Sequence, residues 1–186
     1  MVPLSALWLP VVLSAVLVFL ASSVIHMVLP IHKKDLKKVP DEDAFQDAFR
    51  RMGITPGDYA VPCAGSSHAM KEPAFVEKMA KGPVVFMTVL GGGHTFMGTS
   101  LALWFVYCLV VGVFGGYVGG RALAPGASYL DVFRFVGTVA FACYAMSLPQ
   151  ASIWYKRNWG TTVRSMIDGL VYGMLTAGTF GWLWPK

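Results

Sequence analysis

Four stretches of this chain are apolar for long enough to cross a bilayer as helices. The first covers residues 4–29, and no Asp, Glu, Lys or Arg occurs from Met1 to His32. An α-helix rises 1.5 Å per residue and the hydrocarbon layer is about 30 Å thick, so about 20 residues suffice. The second run is 99–120, closed by Arg121, and the third is 130–154, closed by Lys156 and Arg157. The fourth, 166–184, is shorter. Ala124-Pro125-Gly126 marks a turn between the second and third. The pattern predicts an all-α membrane protein with four transmembrane helices and a small α+β insertion between helices 1 and 2. The first run differs from a cleaved signal peptide because it lacks a basic leading segment and its apolar stretch is too long.

The insertion, residues 31–97, has its own periodicity. Pro40-Asp41-Glu42-Asp43 reads as a helix start, with Asp41 able to cap it and acids suited to the positive end of the helix dipole. Ala44, Phe45, Ala48, Phe49 and Met52 then share one face, and Gly53 suits the C-terminal cap. That face is expected to rest on the remainder of the insertion, with the bilayer surface as the alternative. Asp58–Val61 reads as a short strand, Glu72–Lys81 as a helix with Pro73 in its first turn, and Val84–Leu90 as a second strand. Gly91-Gly92-Gly93 reads as a flexible joint rather than a phosphate loop, since no Gly-Lys-Ser/Thr follows.

Composition sharpens the class. Of 186 residues, 55% are hydrophobic and 13% charged, and mean hydropathy is +0.57. A soluble domain carries about a quarter charged residues. The net charge of +5 comes from cations beside apolar runs, so an anionic membrane surface explains it and nucleic acid does not. Segments 31–97 and 155–165 hold nine and three of the 15 Lys+Arg. By the positive-inside rule these are cytoplasmic and both termini lie outside, as in a bacterial inner-membrane protein.

Small residues are the best-patterned feature. One run reads Gly112, Gly116, Gly120 and another Gly169, Gly173, Ala177, Gly181, each spaced by four. Residues four apart share a helix face, and in lipid helices associate through such smooth stripes. The neighbour is open between this chain, a second copy in a homo-oligomer, and another membrane subunit.

Candidate chemistry is sparse. Asp131, Arg134 and Asp168 are charges in or beside the spans, which marks a candidate polar pathway. In the plainer alternative Arg134 snorkels to the interface or pairs with Asp131, and Asp168 pairs with Arg164 or Lys156. Pro149 predicts a bend in the third span, where Tyr144, Ser147 and Gln150 would line any cavity. All four histidines fall near the inner boundary. His26, His94, His68 and Cys63 are the candidate metal or haem ligands, with His26 and His94 the leading pair. No HxxxH, CxxC or CxxCH spacing occurs, so the expectation is no cofactor. The three cysteines fit no disulfide framework, and no catalytic constellation is legible.

Val39-Pro40-Asp41-Glu42, Pro56-Gly57-Asp58-Tyr59, Gly82-Pro83-Val84 and Ser152-Ile153-Trp154-Tyr155-Lys156 together resemble an uncharacterised family of small four-span bacterial inner-membrane proteins. The resemblance covers most of the chain and implies the four-span layout. It carries over no functional residue. The leading expectation is a non-catalytic membrane subunit or scaffold. A homo-oligomeric transporter or channel for ions or small solutes, and a His-ligated metal or haem protein, are the alternatives.

Overall fold

The computed structural model describes residues 1–93 and 97–186. The chain divides into two compact units, Met1–Leu36 with Phe96–Lys186, and Lys37–Thr95.

The first unit is a bundle of antiparallel helices. Helix α1 (Trp8–Ser23) is entered through a 3-10 turn, Leu4–Leu7, and leaves through a π-helical turn, Val24–Val28. Helix α4 (Met97–Ala122) follows, then α5 (Tyr129–Ala145), the short α6 (Pro149–Tyr155) and α7 (Trp159–Trp182). Among the described residues, three segments are long and apolar enough to cross a membrane: Leu4–Val28, Met97–Ala122 and Tyr129–Tyr155. The last is broken where expected. Met146–Leu148 form a turn, and Pro149, which has no N–H to donate, starts α6 at its first position.

Helix α7 begins at Trp159, earlier than the apolar run suggests. Residues 155–165, read from sequence as a cytoplasmic segment between the third and fourth runs, are not a plain connection. Instead the Asn158 side chain caps the helix, accepting from the Gly160 and Thr161 amides. The connection is short, and Lys156 takes the left-handed conformation at the end of α6.

The small-residue stripes are used within the chain. A Cβ on Gly112 would meet Val11 and Ser14 of α1 at 3.4 Å, and one on Gly116 would meet Phe180 at 3.1 Å. On α7, Gly169 lies against Tyr144 and Ala145, Gly173 against Phe141, Ala177 against Gly137, and Gly181 against the Tyr129 ring. Both stripes therefore seat α1, α4, α5 and α7 on each other. They supply no argument for a second copy.

The end of the bundle that holds the chain termini is pinned by main-chain bonds. The Val2 amide donates to the Gly120 carbonyl at 2.8 Å, and Gly126 to Pro185 at 2.8 Å. The indole of Trp184 donates to the Ala124 carbonyl at 3.0 Å. Val2, Leu7, Val132, Val136, Phe180 and Trp184 pack around this end. A second cluster, with Val18, Val111, Ala140, Tyr144 and Tyr172, fills the middle. The outward faces are apolar: Trp8, Leu20, Leu103, Phe114 and Leu170 all stay exposed, as lipid-facing positions do.

The second unit contains helix α2 (Glu42–Arg51), helix α3 (Pro73–Lys81) and a two-stranded sheet. Strand β1 (Gly57–Val61) pairs antiparallel with β2 (Val85–Val89), from Gly57 opposite Val89 to Val61 opposite Val85. Asp41 caps α2 by accepting from the Ala44 amide at 2.9 Å. No residue of α2 is buried. Its apolar face therefore does not rest inside this unit as expected, and Phe45 and Phe49 stack on each other at 4.4 Å.

Candidate cation site

The end of the bundle opposite the termini carries the polar cluster. Its construction starts with the wider turn at the end of α1. The Leu29 amide bonds back to the Val24 carbonyl at 3.0 Å, five residues earlier. Such π turns recur at functional sites because they displace one side chain from the regular helical register. Here the displaced stretch contains His26. Pro30 then starts a 3-10 turn, Pro30–His32, which brings the His32 ring over His26 with centroids 4.4 Å apart.

Helix α7 supplies the other half. Thr161, Arg164, Asp168 and Tyr172 recur at three- and four-residue intervals, hence on one face. Asp168 is buried, and its Oδ2 stands 2.9 Å from His32 Nε2 and 3.9 Å from His26 Nε2. The Tyr172 hydroxyl lies 3.4 Å from His26 Nε2. Among the described residues, His26, His32 and Asp168 form a group whose ligand atoms all lie within 4.8 Å of one another.

Asp35 orders this group from behind. Its Oδ2 is 2.7 Å from His32 Nδ1, and its Oδ1 accepts from Arg164 Nε at 3.0 Å and from the Thr161 hydroxyl at 3.3 Å. The second Arg164 nitrogen also reaches that oxygen. Burial alone would raise the Asp35 carboxyl pKa. The bonds from His32 and Arg164 outweigh it and hold the group below the usual carboxylate value of 3.8.

One relationship in the cluster is unusual. With Nδ1–H donating to Asp35, a neutral His32 presents a lone pair at Nε2. That nitrogen stands 2.9 Å from the Asp168 carboxylate oxygen. Both atoms are buried, and the contact is not aligned as a hydrogen bond. Two acceptors at 2.9 Å repel unless something positive is shared between them. The donor set, two imidazoles and one carboxylate, suits first-row divalent metals. A metal about 2.1 Å from each of two ligand atoms lets them stand at most about 4.2 Å apart. The separations from Asp168 fit as they stand. His26, with a side chain 49% exposed, has room for the small rotation that remains.

The other residues singled out from sequence lie elsewhere. His68 has a side chain 92% exposed and lies 3.7 Å from Glu72, and Cys63 is an exposed free thiol. Neither joins the cluster, and His94 lies outside the described residues. Among the described residues, His26 meets His32 and Asp168. Asp131 does not pair with Arg134: its carboxylate accepts from the Ser128 hydroxyl at 2.7 Å, and Ser128 caps α5 in return. Arg164 turns to Asp35 rather than Asp168, and Lys156 donates to the Ile153 carbonyl. Arg134 lines the same groove as Gly137 and Ala177, and Ala177 is nine residues from Asp168 along α7. Between them, Gly173 packs directly on Phe141, so Asp131, Arg134 and Asp168 form no continuous polar path. No protein family, no characterised protein and no solved structure matches this chain.

Proposed function

We propose that the protein is a four-span integral membrane subunit that binds one divalent transition-metal ion through His26, His32 and Asp168. In this reading α7 is the fourth crossing. Its Thr161, Thr162, Arg164 and Asp168 dilute the apolar character of its first half. Arrangement of the termini at one end supports an even number of crossings. The Lys and Arg distribution supports a cytoplasmic placement of the cation site in a bacterial inner membrane.

The observation that carries the proposal is the buried approach of His32 Nε2 to Asp168 Oδ2, with His32 Nδ1 already engaged by Asp35. A carboxylate behind a histidine that faces a metal is the usual outer arrangement of such sites, because it fixes the tautomer and raises ligand basicity. The site is composed within one chain, so the subunit needs no partner to form it.

Titration of the purified, chelator-stripped protein with Co2+ tests the proposal. One equivalent should bind with visible d–d absorption, and His32→Ala and Asp168→Asn should each abolish it. Failure of the wild-type protein to bind a stoichiometric metal would remove this reading.

A second reading is favoured by the same contact. A proton, instead of a metal, could make His32 an imidazolium held between Asp35 and Asp168. Nitrogen NMR of the metal-free protein would then show both His32 ring nitrogens protonated, and no metal would bind.

A further inference from the structure

A groove runs along the outside of the bundle between α5 and α7, with a volume of about 310 Å3. Its floor is Gly137, Gly173 and Ala177, where the two helices approach closely, and Phe141 and Met174 form its walls. Arg134 stands at one end. We infer that this groove holds an acyl chain of one anionic phospholipid whose phosphate is bound by Arg134.

Charge complementarity selects the occupant. Arg134 is exposed in the second turn of α5 and forms no ion pair with another described residue. Asp131, one turn earlier, is engaged by Ser128 and does not neutralise it. A bare guanidinium beside lipid is costly unless it reaches the headgroups or an anion, and its long stem allows that reach. Its planar fork of donors matches a phosphate, in a two-point contact that an ammonium does not reproduce.

The groove's direction fits the rest of the lipid. It extends from Arg134 to Phe141, seven residues along α5, or about 10 Å at 1.5 Å per residue. That is most of one leaflet of a hydrocarbon layer about 30 Å thick. Its lining is apolar below Arg134 apart from the Thr138 hydroxyl, and that hydroxyl donates to the Arg134 carbonyl at 2.7 Å. A chain lying there meets no unsatisfied polar group. Only the membrane placement of the bundle is needed for this, and the cation site is not.

Native mass spectrometry of the full chain, released from nanodiscs holding equal phosphatidylglycerol and phosphatidylcholine of identical chains, tests it. One phosphatidylglycerol per protein should be retained, about fivefold in preference to phosphatidylcholine, the factor one basic side chain contributes near an anionic surface. Arg134→Gln should erase the preference, and Arg134→Lys should keep part of it. Met174→Trp, which fills the groove from an exposed position, should remove both lipids. Equal retention of the two lipids by the wild-type protein would overturn the proposal. So would a preference unchanged in Arg134→Gln, or a dimer cross-linked through this groove in place of lipid. Helical content by circular dichroism separates loss of binding from misfolding, and Arg134→Lys and Met174→Trp provide independent tests if Arg134→Gln does not fold.

Discussion

Arg164 on α7 holds Asp35 across 129 residues of chain, with Nε at 3.0 Å from Oδ1. Asp35 in turn fixes His32 at 2.7 Å. The segment after α1 is thereby tied to the first turns of α7, and the orientation of His32 depends on a residue it does not touch.

Asp35→Asn should therefore weaken metal binding about 10- to 100-fold, the usual effect of removing a carboxylate behind a ligating histidine. Arg164→Met leaves Asp35 with one strong partner fewer, and should cost about 2 kcal/mol of stability. Co2+ titration reads the first effect, and thermal unfolding in detergent the second.

Acidification should also loosen this junction. The Asp35 pKa in the folded protein lies below its ordinary value of 3.8. A carboxyl depressed in the folded state contributes stability that is present above the unfolded pKa and lost as pH falls through the folded one. Melting temperature of the wild-type protein should drop more steeply below pH 4 than that of Asp35→Asn.

Glycines on the stripes should differ sharply from glycines off them. A Cβ at Gly120 would stand 2.5 Å from the Val2 carbonyl oxygen, a main-chain atom that cannot rotate away. Gly120→Ala should displace the N-terminal segment at a cost of about 1–3 kcal/mol. At Gly98, near the start of α4, nothing lies within 4 Å of such a Cβ. Gly98→Ala should be neutral or stabilise by up to about 1 kcal/mol. Paired unfolding curves in one detergent check both signs.

His68→Ala and Cys63→Ser should leave Co2+ binding unchanged, because both side chains are exposed in the second unit. Loss of binding in either variant would show that the ligand set is wrong.

Much of this architecture is legible in the sequence. The charge-free runs, the small-residue spacing, the Pro149 break and the Asp41 cap all rest on local rules, and local rules need only neighbouring residues. The partners of the stripes were not legible, because a smooth face does not say what lies against it. The start of α7 was obscured by Thr161, Thr162 and Arg164, which read as a polar loop in a hydropathy window. Asn158 followed by a helix-compatible run was the available signal. Of the cation cluster, the sequence marks His26 as a candidate ligand and Asp168 as a charge within a span, but not that they meet. His32 and Asp168 meet through chain reversal after the π turn and through tertiary packing, and neither has a sequence spacing that announces the other.

The wide turn at Val24–Val28 has a consequence that side-chain substitution does not capture. A π turn holds one more residue than its α counterpart for the same advance. Adding one further residue there, with no second wide turn to absorb it, would rotate everything beyond it by about 100°. His32 would then leave α7 with its chemical identity intact. At this junction the count of residues in the backbone, as much as their kind, sets whether the ligands meet.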